Sequence, residues 1–266
     1  VEYTHFDALK QLTNADWVPQ TMQSKGLTTE NGRFILQQFA FMRQETAVNY
    51  LASRHPVASF ETSRAHFMGD GGYGTWAAPE ALRQPQLSNC EARRGDNIGA
   101  LQLQFEPLMA GENRRILLQL GQAEPKNLIA ESGRFLTPEA ADLAFAKLAS
   151  SWETALAPIQ VTTPDEPFNQ MVNVHNPRQC LTTLQWSRYL SLYQLGYGAR
   201  GMGVRDSAQD IMGSVANAPQ AAKTLLRKLL AVHKQFGAAM HQFIPLIMEA
   251  NDGDAREDEA RADFYS

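Results

Sequence analysis

TPEAADLAFAKLASSWETAL, residues 137–156, divides the chain into two kinds of pattern. Thr137 is a helix-capping residue type and Pro138 suits the first helical position. Glu139 places negative charge in the first turn, where a helix N-terminus favours it. Leu143, Ala146, Leu148 and Trp152 then recur at roughly helical spacing. Upstream the spacing is shorter. GRFILQQFAFMRQ (32–44), NYLASRHPVASFETSR (49–64) and GALQLQFEPL (99–108) are rich in aliphatic and aromatic residues. Leu101, Leu103 and Phe105 alternate with glutamines, as on a half-buried strand. The turn Met109–Asn113 leads into RRILLQLGQ, where Ile116, Leu118 and Leu120 share one face; this predicts a hairpin at the edge of an antiparallel sheet. Downstream, Thr163-Pro-Asp-Glu166 opens a second helical pattern to about Leu195. Residues 219–236 form a third, with Leu225, Leu226, Leu229, Leu230 and Val232 on a wide apolar face. Strands first and helices after predict an α+β chain, an antiparallel β-sandwich portion followed by a helical part, and not alternating βαβ units.

The bulk numbers narrow the function classes. The chain has 266 residues, 44% of them hydrophobic, which suffices for a sizeable core and permits one or two domains. A net charge of −4 provides no basic footprint for nucleic acid or an anionic membrane. No apolar run approaches the roughly 18 residues of a membrane helix. The N-terminal VEYTHFDALK lacks a secretion pattern, and a cytoplasmic location is expected. Cys90 and Cys180 lie far apart and suggest neither a disulfide framework nor a metal site. Because the first residue is Val1, the chain is expected to be processed or cut from a longer one. The acidic 251–263 reads as loop.

The stretch that carries chemistry is QLGYGARGMGVRDSAQD, residues 194–210, with glycines at 196, 198, 201 and 203. Gly196–Gly201 fits G-x-G-x-x-G. However, the preceding segment reads as helix, no acidic residue lies near position 221, and no Gly-Lys-Ser/Thr is present. A nucleotide loop is therefore disfavoured. Two readings remain: a solvated helix connection, or a rigid turn presenting Arg200, Arg205, Asp206 and Asp210 to a polyhydroxylated ligand. Carboxylates accept from paired sugar hydroxyls, and arginine donates in a fixed fork. On a helix, Asp206, Gln209 and Asp210 would share a face.

Asn173-Val-His-Asn-Pro-Arg-Gln-Cys180, Trp186-Ser-Arg188 and Gly198–Asp210 together resemble the glycoside phosphorylases of glycoside hydrolase family 94. Arg64-Ala-His-Phe-Met-Gly69 with Trp76 and Pro79 resembles that family's sandwich motif, and the 99–121 hairpin its last sheet. The resemblance implies the end of a β-sandwich domain (1–122), a helical linker (123–164) and the start of an (α/α)₆ catalytic barrel (165–266). It implies inverting phosphorolysis of a β-glucosidic disaccharide to α-glucose 1-phosphate and a free acceptor. The partners would be the disaccharide and phosphate, with inorganic phosphate as co-substrate, no cofactor, and a possible homodimer. It makes Arg200 and Asp206 the grip on the donor glucose, with Arg205 supporting. Gln209 and Asp210 match positions that either bind substrate or support the helix. The family's general acid lies in a later Asp-Trp-Asn-Asp motif absent here, so no catalytic residue is assigned and the isolated chain is expected to be inactive. A non-catalytic carbohydrate-binding module is the alternative.

Relatives usually read Asn-x-Trp-Asn-x-Tyr-Gln where this chain has Asn173-Val-His175-Asn176-Pro177-Arg178-Gln179. Either the core is repacked, or the acceptor site is more basic and suits an acidic acceptor such as gluconate, with Arg178 as its partner. The local run is most similar to the cellobionic acid branch, with cellobiose as the other candidate substrate. His233 and His241 lack ligand-type partners in metal spacing. Asn251-Asp-Gly-Asp254 has its glycine too early for a calcium loop. Asp70 reads as a turn residue, and Trp76 and Trp152 as core.

Overall fold

The computed structural model describes residues 22–40, 48–69, 77–187, 202–233, 242–244 and 249–250. The chain falls into two compact units, Val1–Ala146 and Lys147–Ser266.

In the first unit, β1 (Met22–Thr28), β2 (Phe34–Ala40), β3 (Val48–Ser53) and β6 (Leu118–Ala123) form a four-stranded antiparallel sheet in the order β1-β2-β3-β6. A second antiparallel pair joins β4 (Val57–Ser63) to β5 (Asn97–Leu103), with register shifts between Val57 and Ser59 and between Glu61 and Ser63. The β-rich run at 49–64 thus contributes to two strands in two sheets. The break falls where Ser53 Oγ accepts from the His55 N–H at 3.0 Å and turns the backbone. Between the sheets, Phe34 and Phe60 meet with ring centroids 5.2 Å apart. On the other face of the large sheet, Ile35, Phe39, Val48, Tyr50, Ala52 and Ala123 pack against Leu128 and Leu136. Leu128 begins α2 (Leu128–Glu131), which follows α1 (Arg64–Met68) in chain order.

The expected 99–121 hairpin does not form. β5 pairs with β4, and β6 pairs with β3, so the turn at 109–112 links strands of different sheets. The apolar face expected on β6 is also the outward one: Ile116, Leu118 and Leu120 are exposed, while Gln119 is buried. The reason is polar. The Gln119 amide donates to Tyr50 Oη at 2.8 Å and to the Glu131 carbonyl at 2.6 Å, and its oxygen accepts from the Phe135 N–H at 2.9 Å. One buried glutamine satisfied three times ties the 131–135 turn to the sheet, and the period of two then sends the leucines outward.

Helix α3 (Pro138–Leu156) starts as its sequence predicts, with the Ala140 N–H donating to Thr137 Oγ1 at 3.2 Å. Removing that cap by Thr137→Ala is expected to lower stability by about 1 kcal/mol, read as a shift in the urea unfolding midpoint at unchanged slope. Its apolar stripe is less buried than the spacing suggests: Ala141 is buried, and Leu143 and Leu148 are exposed.

Among its described residues the second unit is mostly helical. Asp165 caps α4 (Glu166–Gln170), accepting from the Phe168 N–H at 3.1 Å. A wider π-helical turn (Met171–His175), α5 (Asn176–Thr182) and a second π-helical turn (Thr183–Ser187) continue it. Asn169 and Asn173, four apart, clamp the extended run before the helix. Asn173 donates to the Val161 carbonyl and accepts from its N–H, both at 2.8 Å. Asn169 does the same to Thr163, both at 2.9 Å. The short strand β7 (Met202–Gly203) precedes α6 (Val204–Ser214) and α7 (Pro219–Ala231). It pairs with β8 (Gln242–Ile244), which pairs with β9 (Glu249–Ala250). Leu184, Met202, Val204, Leu225, Leu229 and Phe243 form the core of this unit. The wide apolar face expected for α7 is narrower, because Leu226 and Leu230 are exposed. No helix among the described residues is long and apolar enough to cross a membrane.

Candidate functional site

The glycine stretch ends in a helix, not a turn. Gly203 is the N-cap residue, with extended backbone at φ −65° and ψ 128°, and Val204 begins α6. Asp206 therefore stands in the third helical position. There the unpaired N–H groups and the helix dipole favour a carboxylate. Nothing in the φ of Gly203 demands glycine. The constraint is on Asp206: a Cβ at 203 would lie 2.6 Å from its Oδ2 and 3.3 Å from its Cγ, so the carboxylate would have to move. The missing side chain at 203 is what lets the Asp206 carboxylate fold back over the helix start. Asp206 itself is half-buried. Immediately beneath, Ser207 is fully buried and its hydroxyl donates to the Gly203 carbonyl at 2.7 Å, closing the first turn from the inside.

The helix splits the residues that spacing had grouped. Each residue turns about 100°, so positions three and four beyond Asp206 fall on opposite flanks of it. Gln209 is exposed together with Arg205, whereas Asp210 is buried and partnered. Asp210 lines the same inner face as Ser207 and Ser214, whose hydroxyl donates to the Asp210 carbonyl. Gly213, one turn on, brings α6 close to α5: a Cβ there would sit 3.2 Å from Cys180 Sγ.

Arg178 is exposed on α5, with its guanidinium carbon 5.2 Å from the ring centroid of Trp152. Trp152 is half-buried rather than core, and it serves as a platform for that cation. Arg200, Arg188, Asp70, Trp76, His241, Asn251–Asp254 and the glycines 196, 198 and 201 lie outside the described residues.

One cluster was not legible at all. Glu61 on β4, His66 on α1 and Cys90 each offer a ligand-type atom, and these atoms lie within 4.8 Å of one another. Positions 61, 66 and 90 have no recognisable ligand spacing; only an isolated parallel bridge between Glu61 and Cys90 brings the third beside the first. Burial first, then the carboxylates of Glu61 and Glu91, push the Cys90 thiol's pKa up. The Gly203–Asp206 relation, by contrast, did leave a signal. A glycine three residues before an aspartate at a helix start is the spacing that stacks one over the other.

Two family profiles match the chain. Residues 1–134 match the glycosyl hydrolase 94 supersandwich domain, and residues 151–264 the catalytic domain of the glycosyl hydrolase 94 superfamily. Two proteins named N,N'-diacetylchitobiose phosphorylase, from Vibrio proteolyticus and Vibrio furnissii, are each 30% identical to it over 198 residues. Those residues are 74% of this chain and 24% of each relative, so the chain spans about a quarter of the length of the relatives it matches.

Proposed function

The chain belongs to the glycosyl hydrolase 94 family, with supersandwich strands followed by the start of a catalytic domain, and from that premise we propose that it is part of an inverting disaccharide phosphorylase whose donor sugar is gripped by Asp206 and Arg200. The observation that carries the reading is the placement of Asp206: a half-buried carboxylate on the first turn of α6, with room made for it by Gly203. A carboxylate in that position accepts two hydroxyl hydrogen bonds from one sugar ring without needing a cation beside it, because the helix terminus already favours its charge. Arg200, three residues before Gly203, supplies the complementary donor fork, and Arg205 and Gln209 support the rim.

In the reaction we propose, phosphate attacks the anomeric carbon from the face opposite the glycosidic bond. The bond to the acceptor breaks, its oxygen takes a proton from an acid, and configuration inverts. Phosphate stands where an inverting hydrolase places its activated water, so a second carboxylate is not required. The acid belongs to a part of the enzyme outside these residues. The substrate we favour is a β-glucoside with an acidic acceptor, cellobionic acid ahead of cellobiose. Arg178, exposed on α5 with its guanidinium over the Trp152 ring, is the group we assign to the acceptor carboxylate.

The test is synthesis by the intact enzyme. Supplied with α-glucose 1-phosphate, it is expected to release phosphate and to use gluconate in preference to glucose. Preference for glucose as acceptor removes the acidic-acceptor assignment. A requirement for N-acetylglucosamine 1-phosphate as donor removes the glucoside assignment. No phosphate release with any sugar phosphate removes the phosphorylase reading itself.

A further inference from the structure

Glu61, His66 and Cys90 bring a carboxylate oxygen, an imidazole nitrogen and a thiol sulfur within 4.8 Å of one another in the first unit. We propose that this cluster is a zinc site with Glu61, His66 and Cys90 as its three protein ligands among the described residues. The donor set chooses the metal. Calcium and magnesium take oxygen ligands, whereas zinc takes thiolate, imidazole and carboxylate together.

The surroundings hold two of the three ligands in place. Glu61 is 1% exposed, and its Oε1 accepts from the N–H groups of Thr62 and Ser63 at 2.9 and 2.8 Å. Its Oε2 accepts from the Ser88 hydroxyl. Cys90 is fixed through its backbone: its carbonyl accepts from Thr62 Oγ1 at 2.7 Å, and its N–H donates to Ser88 Oγ at 3.2 Å. Ser88 and Thr62 thus contact both the carboxylate segment and the cysteine segment, the kind of outer shell that orients metal ligands. His66 completes the set from α1, with Nδ1 3.9 Å from Glu61 Oε1 and a side chain 55% exposed. Zinc bonds of about 2.0–2.3 Å put neighbouring ligand atoms roughly 3.3–3.8 Å apart. The cluster must therefore contract by about 1 Å, a movement that the exposed side chain of His66, midway along the short α1, can supply.

A bound divalent ion links α1 to the 88–92 segment through His66 and Cys90. This site is independent of the phosphorylase reading, because its ligands lie in the supersandwich residues and none of them is assigned to the sugar.

The experiment uses the whole chain after chelation and dialysis. Zinc is titrated against a chromophoric chelator, and cobalt is titrated with absorbance read in the near ultraviolet. We expect one equivalent of metal per chain and a sulfur-to-cobalt charge-transfer band that disappears in Cys90→Ser. We expect zinc affinity to fall by about tenfold or more in His66→Ala. That substitution removes an exposed side chain, and circular dichroism verifies that the fold is retained. Absence of stoichiometric zinc binding overturns the site, and so does binding that neither substitution alters.

Discussion

Asp206→Ala in the intact enzyme is expected to lower kcat/KM for phosphorolysis by about 10²–10⁴-fold. A hydrogen bond to a charged group contributes about 1.5–3 kcal/mol, and the carboxylate is placed to accept two from the donor ring. Each 1.36 kcal/mol is about tenfold in rate, which yields the range. Stability should change little, because the carboxylate is half-buried and the turn beneath it is closed by Ser207. Steady-state kinetics together with a urea unfolding curve measure both quantities. Gly203→Ala supplies a companion that leaves the acid in place: its Cβ meets Oδ2 at 2.6 Å and displaces the carboxylate. The expected loss has the same sign and is smaller, since the far end of a side chain can rotate away. Full turnover in Asp206→Ala removes the grip on the sugar from this helix. A loss of turnover that merely tracks a loss of folded protein would do the same.

The largest stability effect is expected at Gly121. It lies directly across β3–β6 from Tyr50, which is 3% exposed. A Cβ at 121 would fall 2.5 Å from the Tyr50 hydroxyl oxygen, 2.6 Å from Cζ and 3.1 Å from Cε1. A rigid ring in a close-packed core cannot give way as a flexible chain end can. Overpacking of this kind costs about 1–3 kcal/mol, and displacing the ring also breaks the Gln119–Tyr50 hydrogen bond, worth about 0.5–1.5 kcal/mol. Gly121→Ala should therefore lose about 2–4 kcal/mol in denaturant unfolding. Adding Tyr50→Phe should recover only part of it, because the ring carbon remains in the way. A loss within 0.5 kcal/mol, the usual range for a neutral surface change, would show that the Tyr50 ring does not lie over Gly121.

Both predictions turn on a glycine that the chain discloses only in part. Gly203 was visible in a glycine-rich run, and its spacing of three to Asp206 is the local signal of their contact. The run suggested a rigid turn or a solvated connection, whereas what matters is the volume left for Asp206. Gly121 gave no signal, since a glycine within an alternating strand does not disclose which ring will stand opposite it.

The amino-acid sequence by itself determined the order of strands before helices, the start of α3 at its Thr137 cap, the turn at 109–112 and the family. Those features depend on interactions reaching only a few residues along the chain, or on a motif long enough to identify its relatives. The tertiary structure alone decided which strands pair, and so refused the 99–121 hairpin. It turned Gln119 inward and Leu118 and Leu120 outward, parted Gln209 from Asp210, and brought Cys90 beside Glu61 and His66. In each case the deciding contact lies far away in the sequence or on the opposite face of the same element. A period of two or of 3.6 states that an element has a face; only the partner it meets states which face is buried.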